Sequence, residues 1–235
     1  EGRPRGTLGD VGDYGDVELS PDGKRVVVSV AGTSPPTRDL WLIDVARALR
    51  TRVTSDPGDD VSPVWSPDSR RIIYASRRNG RFAMFEKDID DGGREQLILA
   101  NATADYTPTS WSPDARHLLY STTTSGVSQL WTLPLDGDRQ PRRFAQSQFA
   151  AFDGRFSPDG RWVAYASTES GRSGVYVAPF PEGAAKWQIA AGGSPAALSP
   201  STIAAWIARL ERWLSEPPRR IAALPALRQS AAASA

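Results

Sequence analysis

The residues of this sequence that could support hydrolysis centre on its one histidine, His117. A catalytic triad needs a histidine base between a serine nucleophile and an orienting carboxylate. His117, however, occupies a position that Arg71 and Trp162 fill in related stretches of the chain, which favours a structural role. The Gly-x-Ser-x-Gly elbow of many hydrolases is absent, as are the glycine-rich loop, His-Arg-Asp and Asp-Phe-Gly phrases of protein kinases. The sequence therefore predicts that this chain is not itself an enzyme.

Residues that bind metal ions are also sparse. The chain has no cysteine, which excludes disulfides and thiolate ligands, and one histidine excludes a site with two imidazoles. The run Asp88-Ile89-Asp90-Asp91-Gly92 is similar to a calcium loop, but Leu99 stands where such a loop needs a bidentate glutamate. A hairpin turn therefore explains the run better. We expect neither a metal nor a cofactor.

Composition narrows the possible partners of the chain. Its 235 residues are 40% hydrophobic and 23% charged, as in ordinary globular proteins. The net charge of +1 predicts no binding to nucleic acid. No apolar stretch approaches the roughly 20 residues of a membrane helix. The opening Glu1-Gly2-Arg3-Pro4 has no methionine or apolar segment, so no signal peptide is expected.

One phrase recurs along the chain and must organise its fold. A Ser-Pro-Asp turn, followed by a short apolar run, begins at Ser20, Ser66, Ser112 and Ser157, which are 46, 46 and 45 residues apart. Proline presets φ at such a turn, and aspartate hydrogen-bonds to the nearby backbone. An aromatic residue recurs further along each unit: Trp41, Phe85, Trp131 and Tyr176. Four copies in register predict four repeats of one structural unit.

The residue types in each unit predict four short antiparallel strands. In the second copy we expect strand A at 63–65, strand B at 71–76, strand C at 82–88 and strand D at 95–99. Four strands in about 45 residues are typical of a β-propeller blade. The recurring aromatic residues are expected to fill the layers between blades. The sequence thus predicts an all-β propeller with about four complete blades, which form an incomplete ring.

The repeats also resemble a known family. Ser-Pro-Asp-Gly followed by lysine or arginine and an apolar strand is similar to the WD40-like PD40 repeat of TolB-type propellers. Segments such as Arg38-Asp39-Leu40-Trp41 and Leu130-Trp131-Thr132-Leu133 resemble the C-terminal propeller of bacterial eukaryotic-like serine/threonine protein kinases. The resemblance covers residues 1–198 and implies a parent with a cytoplasmic kinase domain and a membrane helix. The propeller would then lie on the extracytoplasmic side.

The pattern of repeats stops near the C-terminus. Residues 199–235 are rich in alanine and arginine, and the chain contains no glycine after residue 200. Within them, residues 201–215 carry an apolar stripe at helical spacing: Ile203, Trp206, Ile207, Leu210, Trp213 and Leu214. Two explanations are open. A shifted reading frame or truncation has replaced a fifth blade, in which case truncation at Pro200 improves solubility; or an amphipathic helix covers an exposed edge, in which case that truncation causes aggregation.

Two functions from different classes fit this organisation. The first is a non-catalytic interaction or sensing module with an unknown protein or small-ligand partner, since propellers present binding loops at one mouth of a channel. The second is the propeller of a prolyl-oligopeptidase-like serine peptidase that lacks its hydrolase domain. In the first case, the candidate binding residues lie in the loops that enter strand A or follow strand B: Asp60, Arg77, Arg78, Asp105, Tyr106, Phe152 and Glu169.

Overall fold

In the part of the chain that the structure describes, sixteen β-strands form four antiparallel sheets of four strands each. The structure is a computed structural model that describes residues 8–9, 12–33, 36–90, 93–145, 148–181, 183, 185–193 and 205. Each sheet follows chain order and pairs only neighbouring strands, as expected of a propeller blade. The predicted propeller of four-stranded blades is therefore confirmed.

The strand bounds repeat from blade to blade. Blade 1 comprises β1 (Tyr14–Leu19), β2 (Arg25–Ala31), β3 (Arg38–Asp44) and β4 (Arg50–Arg52). Blade 2 comprises β5 (Asp60–Trp65), β6 (Arg71–Arg78), β7 (Arg81–Asp88) and β8 (Gln96–Leu99). Blade 3 comprises β9 (Asp105–Trp111), β10 (His117–Thr124), β11 (Val127–Pro134) and β12 (Arg142–Arg143). Blade 4 comprises β13 (Ala151–Phe156), β14 (Trp162–Ser167), β15 (Gly174–Pro179) and β16 (Trp187–Ala190).

The four Ser-Pro-Asp turns join the first two strands of each blade with one hydrogen-bond pattern. The serine hydroxyl donates to the aspartate carboxylate at 2.5–2.6 Å and accepts the N–H of the fifth residue after it at 2.8–3.0 Å. The aspartate also accepts the N–H two residues further on at 3.0–3.1 Å. The recurring letters thus encode one closed turn four times.

Apolar layers fill the three spaces between consecutive blades. Each layer joins residues of one blade's second and third strands to the next blade. Examples from the three layers are Leu40 with Tyr74, Met84 with Tyr120, and Leu130 with Tyr165. Phe85 and Tyr176 are buried in these layers, whereas Trp41 and Trp131 are half-buried. The expectation that the repeated aromatic residues pack between blades is thus met most fully by Phe85 and Tyr176.

A basic residue or His117 borders each layer at the first position of the second strand. The Arg25 guanidinium lies 5.4 Å from the ring centroid of Trp65 in the next blade, and Arg71 lies 5.2 Å from Trp111. In blade 3 the equivalent His117 meets the ring of Phe180 edge-on at 5.0 Å. His117 therefore packs within the layer between blades 3 and 4, which is the structural position that its place in the repeat predicts.

The described blades form an arc rather than a ring closed by apolar packing. Among the described residues, no apolar cluster joins blade 4 to blade 1, whereas each consecutive pair shares one. In the described ranges there is also no helix with the length and apolar character that crossing a membrane requires. The boundary predicted at residue 198 and the helix predicted over 201–215 lie outside the described residues, apart from Ala205, whose backbone is helical.

Candidate functional site

The inner strands of all four blades line one small channel. Its volume is about 120 Å³. Every blade contributes at least two residues to its wall: Asp16 and Glu18; Ser62, Pro63 and Val64; Thr107, Pro108 and Thr109; Asp153 and Arg155. Seven of these ten residues are polar or charged, in contrast to the apolar layers between blades.

A β-bulge in each inner strand shapes the channel. The pairing of β1, β5, β9 and β13 with the second strand of each blade shifts register by one or more residues in mid-strand. Ser62 and Asp153 adopt positive φ of 52° and 53° at two of these bulges. Bulges bend a strand and redirect its side chains. Pro63 and Pro108 fit here because an inner edge strand has no ladder partner on its channel side.

Three carboxylates and one guanidinium give the channel its charge. Asp16 accepts the hydroxyl of Ser29 at 3.0 Å and the backbone N–H of Ser62 at 2.9 Å, which ties blade 1 to blade 2. Glu18 pairs with Arg155 of blade 4 at 2.8 Å. With Asp153 also in the wall, the channel carries more negative than positive formal charge. Its chemistry therefore suits a hydrogen-bond donor or a cation.

The predicted binding residues lie at one end of the blades, but mostly in strands rather than loops. Asp60, Asp105 and Phe152 fall in the first strand of their blades, as does Tyr106. Arg77 and Arg78 are the last residues of β6, which runs two residues further than predicted. Glu169 alone lies in a turn. The expectation of loop residues is wrong for the other six because strands A and B keep pairing beyond their apolar runs.

Arg78 and Asp60 belong to one cluster between blades 1 and 2. The Arg78 guanidinium lies 2.6 Å from Glu95, 3.1 Å from Asp56 and 3.9 Å from the ring centroid of Phe85. Asp60 is fully buried. Burial raises the pKa of the Asp60 carboxyl to about 6, although nearby hydroxyls and Arg78 favour its charged form. Most charged groups of this cluster therefore pair with one another rather than face solvent.

Asp105 and Asp59, the residue before Asp60, each connect two blades by a hydrogen bond. The Asp105 carboxylate accepts the N–H of Phe82 in blade 2 at 2.9 Å. Asp59 accepts the N–H of Arg38 in blade 1 at 3.0 Å. Arg77 lies 3.8 Å from Asp59 and its side chain is 54% exposed. Asp105 thus has a structural role, whereas Arg77 is accessible to a partner.

The remaining predicted residues are dispersed along the same end of the blades. Tyr106 contacts Tyr120 with ring centroids 5.8 Å apart. Glu169 forms an ion pair with Lys186. Phe152 is half-buried in β13. The structure therefore brings Asp60 and Arg78 together and leaves the other five predicted residues at separate points of the rim.

Sequence reasoning missed the channel wall, although a signal for it was present. The residue four positions before each Ser-Pro-Asp serine lines the channel in every blade: Asp16, Ser62, Pro108 and Asp153. These residues share no chemical type, so a search for one recurring residue overlooks them. Their constant offset from the turn locates them.

Comparisons with known proteins identify the same repeats. Residues 12–110 match the TolB β-propeller domain family PD40. These residues, which include blades 1 and 2, carry repeats of the TolB β-propeller type. An uncharacterized protein of Agrobacterium fabrum is 30% identical over 89 residues, which cover 38% of this chain and 29% of that protein. The Tol-Pal system protein TolB of Helicobacter pylori is 31% identical over 81 residues, which cover 34% of this chain and 19% of that protein.

Solved structures share the fold of this TolB-type propeller. TolB from Acinetobacter baumannii superposes with a TM-score of 0.64 at 24% identity, over 73% of this chain and 43% of that one. A puromycin-hydrolyzing peptidase of Mycobacterium tuberculosis superposes with a TM-score of 0.59 at 17% identity, over 77% of this chain and 32% of that one. The TolB-type propeller described here therefore spans less than half of the length of each of these proteins.

Proposed function

We propose that this TolB-type propeller is a non-catalytic binding module that recognises a protein partner at the rim that carries Arg77 and at the adjoining channel. The observation that supports this proposal most directly is the polar channel, to which all four blades contribute. Rigid strands hold its carboxylates in place, and such preorganised polar groups are typical of binding sites. The excess of carboxylates favours a partner segment that presents amine, guanidinium or other hydrogen-bond donors.

We further propose an extracytoplasmic location for the module. TolB likeness supports the location, and resemblance to the C-terminal propellers of bacterial serine/threonine kinases supports a kinase as parent. A kinase parent would place its catalytic domain and membrane helix elsewhere in the protein. The propeller itself would then sense or bind without catalysis.

Site-specific photo-crosslinking tests the binding site. A photoreactive amino acid at Arg77, on the proposed rim, should capture a partner from an extracytoplasmic extract. The same probe at Arg139, an exposed residue in the turn after β11 at the opposite end of blade 3, is the matched control. Capture from Arg77 alone supports the proposal, and loss of this capture when Asp16→Asn and Glu18→Gln neutralise the channel supports its extension into the channel. Equal capture from both positions contradicts it.

The second candidate is a peptidase propeller, which the likeness to a puromycin-hydrolyzing peptidase favours. That function requires an α/β-hydrolase domain with a nucleophile elbow in the same protein. The coding sequence on both sides of this chain discriminates the two candidates. A kinase domain and membrane helix upstream support sensing, and a hydrolase domain downstream supports the peptidase.

Absence of catalysis is tested on the purified chain. We expect no transfer of phosphate from ATP to protein substrates and no cleavage of peptide substrates, because no nucleophile–base pair was found in the sequence. Sustained turnover by protein free of contaminating enzymes would overturn the non-catalytic assignment.

A further inference from the structure

The ion pair between Glu18 and Arg155 lies in the wall of the polar channel and uses only part of the binding capacity of each side chain. The Arg155 guanidinium donates to one Glu18 oxygen at 2.8 Å, and each side chain is 30% exposed. Neither side chain has another hydrogen bond or ion pair among the described residues. A guanidinium has five N–H donors, and a carboxylate can accept two of them side by side. The pair is therefore held by a single contact that a competing group can replace.

The repeat does not require charge at these two positions. Glu18 and Arg155 stand two residues before the serine of the first and fourth Ser-Pro-Asp turns. The same position holds Val64 in blade 2 and Ser110 in blade 3, and both residues are buried. Blades 2 and 3 thus fold with an uncharged residue there. The opposite charges in blades 1 and 4 consequently serve the channel rather than the architecture of a single blade.

The channel keeps an excess of negative charge even with this pair formed. Asp16 and Asp153 add two carboxylates to the wall, whereas Arg155 is the one cationic side chain among the residues that line it. Asp16 accepts its hydrogen bonds from the described residues on Oδ2, which leaves Oδ1 available. Asp16 stands two residues before Glu18 in the same strand. The wall thus offers neighbouring oxygen acceptors to a second cation.

The size of the channel limits what can enter it. Its volume of about 120 Å³ is well below the roughly 300 Å³ at which pockets for drug-sized ligands begin. This space suits one side chain of a partner rather than a folded segment. An arginine side chain carries a planar fork of donors on a slender stem, and the fork can bridge two carboxylates. Arginine therefore suits both the size and the charge of the channel.

We propose that Arg155 occupies Glu18 in place of an arginine of the partner, and that binding exchanges the internal guanidinium for the partner's guanidinium. This exchange, which rests on the function proposed above, specifies the residue of the partner that enters the channel. One guanidinium–carboxylate contact replaces another of the same kind, and the partner's fork can also bind Oδ1 of Asp16. Arg155 thereby sets specificity, because a lysine ammonium lacks the planar fork that binds two acceptors at once.

Titration of the full chain with Nα-acetyl-arginine amide, followed by NMR, tests the exchange. This probe carries one charge, its guanidinium, and Nα-acetyl-citrulline amide is the uncharged control of similar shape. We expect the arginine probe, unlike citrulline, to shift the amide signal of Ser62, whose N–H donates to Asp16. Arg155→Gln should tighten binding of the arginine probe about two- to five-fold, because it removes a competitor held by a partly exposed ion pair. Arg116→Gln, at an arginine outside the channel wall, should leave this affinity unchanged.

A double-mutant cycle on the affinity for the arginine probe separates exchange from a general effect of charge. If Arg155 competes for Glu18, the gain from Arg155→Gln disappears in a chain that already carries Glu18→Gln. A gain of equal size in both backgrounds would overturn the exchange, because it would show that Arg155 only repels the probe. Equal shifts with the arginine and citrulline probes would also overturn it.

Competition separates this exchange from the proposed function. An excess of the arginine probe should reduce capture of the partner by the photoreactive residue at position 77. Capture that the probe does not reduce would overturn the exchange and leave the proposed function intact. Equal capture from positions 77 and 139 contradicts the proposed function itself, whatever the probe does.

Discussion

At the scale of single residues, the environment of Asp60 is unfavourable for a charged group. It is fully buried, and neither carboxylate oxygen has a hydrogen-bond partner of normal geometry among the described residues. Equivalent positions in other blades hold Tyr14, Tyr106 and Ala151, which carry no charge there. Burial of a carboxylate disfavours its ionised form, which explains why the pKa of Asp60 is raised to about 6. The carboxylate is therefore a cost to stability at neutral pH.

Asp60→Asn should stabilise the chain at pH 8 by about 1–3 kcal/mol, since a shift from 3.8 to about 6 corresponds to roughly 3 kcal/mol at full burial. The folded state binds this proton more tightly than the unfolded state. The stability of the wild type should therefore fall as the pH rises from about 4 to 6 and then level off. Urea denaturation from pH 4 to pH 8 measures the difference, which should vanish near pH 4. Asp136→Asn, at an exposed aspartate, is the control, and a gain independent of pH would contradict the role of ionisation.

At the scale of elements, the Ser-Pro-Asp turn connects the first two strands of each blade. In blade 2, Ser66 donates to Asp68 at 2.5 Å and accepts the N–H of Arg71 at 2.9 Å. The Ser66 hydrogen bond lowers the pKa of the Asp68 carboxyl below its ordinary value. The position after the aspartate has a positive φ in all four turns, which glycine tolerates and which Ser69 and Ala115 also adopt, at 62° each. The hydrogen bonds of the turn thus outweigh the local backbone preference at Ser69 and Ala115.

Ser66→Ala should destabilise the chain by about 1–2 kcal/mol at pH 7, because two hydrogen bonds of a buried hydroxyl are lost. Since the pKa of Asp68 is lowered in the folded state, its contribution is present above pH 4 and is lost as the pH falls through that lowered pKa. The deficit of the variant should therefore shrink in acid. Thermal unfolding at pH 7 and pH 3 measures this, with Ser125→Ala in an exposed turn as the control. An equal deficit at both values would show that the aspartate is not coupled to the serine.

At the scale of the whole molecule, one ion pair links the first and last described blades. Arg155 in β13 lies 2.8 Å from Glu18 in β1, and each side chain is 30% exposed. The two residues come from blades that share no apolar cluster among the described residues. Their pairing therefore adds a polar link across the channel between two blades that share no apolar packing.

A double-mutant cycle measures this link. Glu18→Gln and Arg155→Gln should each lower the free energy of unfolding, and the cycle should give a coupling of about 0.5–1 kcal/mol, because both side chains are partly solvated. The coupling should decrease in 1 M salt, where exposed charges are screened. The neighbouring pair Arg116 and Asp136, 3.2 Å apart within blade 3 and more exposed, gives the comparison for a local contact. No coupling between Glu18 and Arg155 would mean that the channel is not bridged in solution.

The sequence by itself determined the fold because the fold is repeated. Four copies of one turn, each followed by an apolar strand, leave little choice but four equivalent blades, and β5–β8 agree with the predicted strands to within a few residues. Turn chemistry and strand alternation are local, and local interactions can be read from neighbouring letters. The inter-blade positions of Phe85 and Tyr176 followed from the same repetition.

Only the tertiary structure decided which residues face the channel and which carboxylates already accept hydrogen bonds from a neighbouring blade. Asp105 is predicted as a rim residue for binding, yet its carboxylate is occupied by a backbone N–H of the neighbouring blade. Asp16 and Arg155 are distant in sequence, and a bulge in each inner strand brings both to one channel. A bulge changes which face a side chain occupies without changing the apolar pattern around it, so contacts between blades cannot be read from one repeat.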